Sequence, residues 1–212
     1  MAAPTIETPP EAARPARRPP WALVVPAAIF ATALVAAVVA VVVFVRSDDG
    51  GSGDPPPSVN ASVPSGFRLY RGSAFVAAVP RGWTAEGSGD DVTFKDPAQG
   101  VTRGMVIQRV TNTDTADPGD ALADALFRMK NDTAEYPEFS QESLNRNLAY
   151  LGRTAAEAQF TFTKDGLPGR VRVRVFKLDD AIYQVILVAA QKGWDGAVPV
   201  YETFLKTLRS TS

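Results

Sequence analysis

Residues 155–190 have the sequence AAEAQFTFTKDGLPGRVRVRVFKLDDAIYQVILVAA. Up to residue 175, apolar and polar residues alternate on both sides of a turn predicted at residues 164–169. A period of two is typical of antiparallel strands with one face on a core. The last ten residues are apolar at both parities, which predicts a central strand that is covered on both faces.

The sequence around this stretch completes one domain over residues 67–212. Short runs rich in β-forming residues precede it at 67–70, 75–79, 83–86, 92–95 and 101–110. A helix is predicted to begin at Pro118, with Asp117 as its N-cap, and to end before Pro137. A second helix is predicted at about residues 196–208. We therefore predict an α+β fold, an antiparallel sheet of about six or seven strands with helices packed on it.

A long apolar stretch precedes the domain. Residues 21–45 include 23 apolar residues and no charged one. At ~1.5 Å per residue they would form a helix of about 37 Å, longer than the ~30 Å hydrocarbon core of a bilayer. Trp21 and Arg46 flank the stretch at the positions of membrane-interface anchors. We expect one transmembrane helix, and hence the lipid bilayer as a partner.

The flanking charges predict the orientation of this helix. Three arginines, at positions 14, 17 and 18, precede it, whereas Arg46 and three aspartates follow. The positive-inside rule then places residues 1–20, rich in proline and alanine, in the cytoplasm as a disordered tail. Residues 46–66, rich in serine, glycine and proline, would form a flexible extracytoplasmic linker. The predicted location is the cell membrane, with a single pass and the domain outside.

A cleaved signal peptide is the alternative to an uncleaved anchor. The apolar region of a signal peptide has ~7–15 residues and leads into a small-residue cleavage site. Here the apolar stretch is longer and ends in Val43, Phe44 and Val45. The uncleaved anchor is therefore favoured.

The composition excludes several kinds of chemistry. The chain has no Cys and no His, so it has no disulfides, thiolate ligands, cysteine nucleophile or imidazole base. Its net charge of −1 argues against nucleic acid as a partner. We predict no catalytic residues, no metal site and no cofactor.

Two features deserve comparison as candidate sites. Arg170, Arg172 and Arg174 would project from one strand face about 6.6 Å apart, and could bind an anionic envelope component or an acidic partner. Alternatively, Glu157 and Gln159 on the preceding strand neutralise them through cross-strand pairs. The paired aspartates at 90–91 and 179–180 could be catalytic carboxylates, but both pairs lie in predicted turns, where aspartate is favoured for its backbone hydrogen bonding.

The early strands resemble those of the PsbP/Mog-like superfamily. The resemblance rests on FVAAVPRGW at 75–83, with Ala77 in place of a valine, and on VTFKDP at 92–97. The later order of helix, hairpin, strand and closing helix is also similar, so the resemblance covers about residues 67–210. It implies the fold and no catalytic residue. Among its members, the chain is similar to actinobacterial envelope lipoproteins of the LpqN type, with a transmembrane anchor in place of the lipid-modified cysteine.

These observations predict a non-catalytic binding or interaction module of the cell envelope, held by a single transmembrane helix. Its partner would be another envelope protein or an anionic envelope component. Two alternatives stay open: a carboxylate-dependent envelope hydrolase, and a structural assembly subunit. A cleft with two convergent carboxylates of raised pKa would favour the first, and a large exposed apolar patch would favour the second.

Overall fold

The computed structural model describes residues 63–98, 100, 102–111 and 116–212. The predicted cytoplasmic tail, the transmembrane helix and the linker up to residue 62 lie outside this range, as do Trp21 and Arg46. Within the described residues, no helix is both long and apolar enough to cross a bilayer.

The described residues form ten strands and two α-helices. The strands are β1 (Phe67–Arg71), β2 (Phe75–Pro80), β3 (Thr84–Ser88), β4 (Asp91–Lys95), β5 (Arg103–Arg109), β6 (Ser140–Tyr150), β7 (Arg153–Lys164), β8 (Leu167–Leu178), β9 (Ala181–Ala190) and β10 (Arg209–Ser210). The helices are α1 (Pro118–Asn131) and α2 (Trp194–Thr207), and a short 3-10 helix, Gln191–Gly193, precedes α2.

The strands form two sheets. Seven pair in the order β3-β4-β5-β9-β8-β7-β6, and every neighbouring pair is antiparallel. The other three form a small sheet in the order β1-β2-β10, which is also antiparallel. The predicted antiparallel sheet with packed helices is confirmed, and the separate small sheet is an addition to it.

The large sheet is covered on both faces. On one face, α2 and the small sheet enclose an apolar cluster that includes Phe94, Leu187 and Phe204. On the other face, α1 packs over a second cluster that includes Leu122 and Phe160. The central strand β9 contributes to both clusters, as its apolar residues at both parities predict.

The first helix begins where its capping residues predict. The Asp117 carboxylate accepts hydrogen bonds from the backbone N–H groups of Gly119 and Asp120, at 2.7 and 3.1 Å. Pro118 occupies the first turn, where its missing N–H leaves no bond unmade. The helix ends at Asn131, before the Pro137 limit, and α2 begins at Trp194, two residues earlier than predicted.

Three features differ from the sequence-based expectation. The strands β6 and β10 were not predicted; β6 is mainly polar and exposed, so its sequence carries no apolar alternation. The turn predicted at residues 164–169 is shorter in the structure: it consists of Asp165 and Gly166, and β8 begins at Leu167. Both turn residues have positive φ, 52° and 75°, which suits a two-residue hairpin turn.

Candidate binding surface

The three arginines of β8 lie on the α2 side of the large sheet. Side chains alternate along a strand, and the valines of β8 belong to the apolar cluster beneath α1. The arginines therefore point to the opposite face, as the alternation predicts. We call these residues the arginine row: Arg170, Arg172 and Arg174.

Carboxylates on two other strands of the large sheet pair with the arginine row. Glu157 on β7 accepts from Nε of Arg172 at 2.9 Å and from Nε of Arg174 at 2.8 Å. Glu142 on β6 accepts from both Nε and Nη2 of Arg170, at 2.9 and 2.7 Å. The cross-strand neutralisation by Glu157 is thus present, whereas Gln159 acts indirectly, because its amide donates to Glu142 at 2.6 Å.

Each arginine of the row also stacks on an aromatic ring. The guanidinium carbon of Arg170 lies 5.1 Å from the ring centre of Trp194, and that of Arg172 lies 5.4 Å from the ring centre of Tyr201. Arg174 lies 5.1 Å from the ring centre of Tyr150 on β6. These are cation–π distances, so the row joins α2 to the sheet as well as joining neighbouring strands.

The network shifts the ionisation of its members. Burial alone would lower the pKa of Arg172, but the hydrogen bonds and charge of Glu157 outweigh it and raise that pKa. Burial alone would raise the pKa of Glu142, but hydrogen bonds from Gln159 and Arg170 hold it below its ordinary value. Both shifts favour the charged forms, so the ion pairs persist at neutral pH.

The row therefore has little free hydrogen-bonding capacity for an incoming anion. Glu202 on α2 accepts from Arg172 at 3.3 Å, so three carboxylates face three guanidinium groups. The arginine side chains are 17–22% exposed. A ligand of this surface would meet a charge-balanced, hydrogen-bonded face. Ligand binding by the row stays a prediction.

Sequence reasoning did not connect the aromatic and helical members of this surface to the arginine row. Trp194 and Tyr201 stand seven residues apart on α2, a spacing that places them on one side of a helix. This spacing was the sequence signal for a shared surface, but no local sequence pattern indicates that this side of α2 packs against β8. Within the described residues, the Tyr201 hydroxyl is buried without a hydrogen-bond partner, and burial raises the pKa of Tyr201 well above its ordinary value.

The aspartate pairs lie at one end of the large sheet, in or beside turns. Asp90 accepts from the Ser73 hydroxyl at 3.2 Å, and Asp91 accepts from the backbone N–H of Arg109 at 3.1 Å. Asp179 accepts from the hydroxyls of two serines of the C-terminal segment. Among the described residues, no group of three or more acidic residues has the geometry of a metal site.

Comparison with known proteins identifies the family. Residues 70–210 match the family described as the serine/threonine kinase C-terminal domain. The chain belongs to this family. The match covers the whole domain except its first strand residues and last two residues. No match is found among curated proteins.

Three solved structures are similar to the domain. The domain is similar to cyanobacterial PsbP from Synechocystis, with a TM-score of 0.53 and 14% identity over 73% of this chain and 98% of that chain. LpqN, involved in cell envelope biogenesis of Mycobacterium tuberculosis, gives a TM-score of 0.41 and 17% identity over 76% and 87%. A Pseudomonas aeruginosa protein of unknown function gives 0.46 and 19% over 64% and 91%.

The first of these likenesses confirms the PsbP-like fold that the strand motifs predict. At 14% identity it shows the fold alone. The kinase-linked family was not predicted from the sequence. The reason is that the motifs of residues 75–97 form strands and turns, one of them closed by the bond from the Trp83 N–H to the Pro80 carbonyl, and these structural roles do not indicate a function.

Proposed function

We propose that this chain is a single-pass membrane protein that presents its domain outside the cell as a non-catalytic interaction module of the cell envelope. One observation carries the proposal: an uncharged stretch of 25 residues, with three arginines before it, stands ahead of a domain of this family. The family name places such domains at the C-terminal ends of serine/threonine kinases. A domain joined to a catalytic unit in that way suits a binding role.

The charge balance of the arginine row favours a protein partner over a free anion. A phosphate or lipid headgroup would have to displace Glu142 or Glu157 from hydrogen bonds of 2.7 to 2.9 Å. A protein surface can add hydrogen bonds at the rim without breaking these pairs, since rim contacts are polar and hydrated. We therefore propose another envelope protein as the partner of this face.

Topology can be tested with single cysteines, because the chain has none of its own. Ser52→Cys places a thiol in the linker, and Ala3→Cys places one in the N-terminal tail. In whole cells, a membrane-impermeant maleimide should label the first variant and leave the second unlabelled until the cells are opened. The reverse pattern would show that the orientation is wrong, and labelling of both in whole cells would exclude the span.

Binding by the arginine row needs a separate experiment. Proteins cross-linked to the full chain in cells would be compared between the wild type and Arg170→Gln, with Lys130→Gln as the control. Lys130 is exposed and lies on α1, which covers the opposite face of the large sheet, so its replacement removes one positive charge away from the row. Loss of a cross-linked protein in the first variant alone supports the proposal. An unchanged set of cross-linked proteins contradicts a role for Arg170.

A further inference from the structure

Arg172 is held unequally by the two carboxylates beside it. On the strand side, the carboxylate of Glu157 accepts from Nε at 2.9 Å and lies 2.8 Å from Nη2. On the helix side, the carboxylate of Glu202 accepts from Nη1 at 3.3 Å. Charge-assisted N–H···O bonds are ordinarily ~2.7–2.9 Å long, so the contact with Glu202 is a weak one. The Nη1 edge of Arg172 is therefore the loosely held side of the arginine row.

Glu202 is also the most exposed carboxylate that bonds to the row. Its side chain is 60% exposed, compared with 32% for Glu142 and 15% for Glu157. Among the described residues, the Glu202 side chain bonds to Arg172 and to no other residue. Exposed ion pairs contribute little to stability, because water solvates both charges. Of the three carboxylates, Glu202 is therefore the one that another acceptor can replace most easily.

The guanidinium group of Arg172 keeps its position without Glu202. Glu157 holds its Nε edge, and its carbon lies 5.4 Å from the ring centre of Tyr201. A guanidinium group is planar and rigid, so holding one edge also fixes the direction of the other. Nη1 of Arg172 is thus a preorganised donor, and preorganisation lowers the entropic cost of binding.

The charges of this surface favour a negatively charged group at Nη1. The arginine row carries three positive charges, and the three glutamates that bond to it balance them. When the Glu202 side chain moves away into solvent, one positive charge is left unbalanced. Arg170 and Arg174 each lie two residues from Arg172, about 6.6 Å along the strand, which is within the ~8 Å screening length of physiological salt. The position therefore suits a carboxylate better than a neutral acceptor.

We propose that the protein partner of this face presents a carboxylate side chain to Nη1 of Arg172, where it takes the place of Glu202. This inference rests on the proposed function, because it names the chemistry by which that partner is recognised. In the free chain, Glu202 occupies the position and competes with the partner. One ion pair at a surface contributes little by itself, so the carboxylate belongs to an acidic segment that makes further contacts at the rim.

A defined acidic peptide tests this exchange. A short peptide of alternating glutamate and glycine, carrying an uncharged fluorophore, is titrated with the full chain in a non-ionic detergent, and fluorescence anisotropy measures the affinity. Glu202→Gln keeps the size of the side chain and removes the competing charge. We expect this variant to bind the peptide about two- to fivefold more tightly than the wild type, the range that corresponds to one exposed ion pair. An unchanged affinity would overturn the proposal.

Glu86→Gln is the matched control. Glu86 is 59% exposed and forms an ion pair with Lys95, but it lies on β3, four strands away from β8. Its replacement removes the same charge and frees a cation away from the arginine row, so the affinity for the peptide should stay at the wild-type value. Equal gains for the two variants would also overturn the proposal, since the net charge of the chain would then explain both.

A second substitution locates the site. Combining Glu202→Gln with Arg172→Lys should abolish the gain in affinity, because a lysine ammonium does not present two fixed edges, one for Glu157 and one for the peptide. A gain that persists in the double variant would place the bound peptide elsewhere and overturn the proposal.

Two comparisons identify the ligand and separate this inference from the proposed function. Sodium acetate, at the carboxylate concentration of the peptide, should displace no more peptide than sodium chloride does. Full displacement would show that the site takes any small carboxylate, which would overturn an acidic protein segment as the ligand. If Glu202→Gln leaves the peptide affinity unchanged while Arg170→Gln abolishes a cross-link in cells, this inference fails and the proposed function stands.

Discussion

Arg174 on β8 lies directly opposite Glu157 on β7, and its Nε donates to the Glu157 carboxylate at 2.8 Å. The other oxygen of the same carboxylate accepts from Arg172. Glu157 is 15% exposed, and the two arginines are 21% and 17% exposed. One carboxylate therefore holds two half-buried cations, and this relationship makes Glu157 the central residue of the arginine row.

Replacing Glu157 with Gln should destabilise the domain. The variant keeps the shape of the side chain but leaves Arg172 and Arg174 without their shared charge in a poorly solvated position. Removing one partner of a buried charged hydrogen bond costs about 1–3 kcal/mol. Urea unfolding of residues 63–212, which contain both apolar clusters, measures the change in unfolding free energy.

Glu86→Gln is the control for this variant. Glu86 pairs with Lys95 but is 59% exposed, and exposed ion pairs contribute about 0–1 kcal/mol. Equal losses for the two variants would mean that Glu157 contributes no more than a surface charge, which would remove the basis for its central role.

Tyr201→Phe should leave stability unchanged or raise it. The variant removes a buried hydroxyl that has no partner within the described residues and keeps the ring on which Arg172 stacks. Tyr150→Phe is the matched change, because the Tyr150 hydroxyl donates to the Leu205 carbonyl at 2.7 Å. Losing that bond should cost about 0.5–1.5 kcal/mol. Urea midpoints in the opposite order would show that the Tyr201 hydroxyl is satisfied by a bound water.

The sequence predicts the centre of the large sheet well and its edge poorly. The strand β9 is apolar at both parities because both of its faces are covered, so burial is visible in its composition. In the edge strand β6 no side chain is fully buried, only Leu148 and Tyr150 are partly buried, and two bulges interrupt the alternation of its side chains. Its pairing with β7 depends on backbone bonds, which leave no pattern in the residue types.

The arginine row was predictable only in part, for a related reason. Alternation along β8 places its three arginines on one face, and Glu157 lies on the next strand across a short hairpin. The rings of Trp194 and Tyr201 come from a helix more than 20 residues away along the chain. Contacts between distant elements depend on how the helix packs, and local patterns do not specify that packing.

Phe204→Ala should cause a large loss of stability. Phe204 is fully buried, and its ring lies 6.1 Å from that of Phe75 in the small sheet and 5.7 Å from that of Phe94 in the large sheet. Truncation of a buried phenylalanine costs about 3–5 kcal/mol. Phe127→Ala is the control and should stay within about 0.5 kcal/mol, because that side chain is exposed. A small loss for Phe204→Ala in urea unfolding would show that the two sheets are not joined through this ring.

Asp91→Asn should stabilise the domain, and the gain should grow with pH. Burial, and to a smaller extent the charge of Asp90, raise the pKa of Asp91 above its ordinary value of 3.8, although a bond from the Arg109 N–H opposes the shift. An acid with a raised folded-state pKa contributes stability below its unfolded pKa and loses it as pH rises through the folded value. Asparagine keeps the acceptor oxygen for Arg109 and does not ionise.

Glu142→Gln should show the opposite dependence. The pKa of Glu142 is lowered in the folded state, so the wild-type carboxylate contributes stability at pH values above its ordinary pKa of 4.5. This contribution is lost as the pH falls through the folded-state pKa. Urea unfolding between pH 3 and 7 tests both variants. The gain in unfolding free energy from Asp91→Asn should be smallest at pH 3 and grow as the pH rises. The loss of unfolding free energy from Glu142→Gln should be present at pH 7 and disappear toward pH 3. Two curves that run parallel to the wild type would contradict both shifts, since neither group would then change its proton affinity on folding.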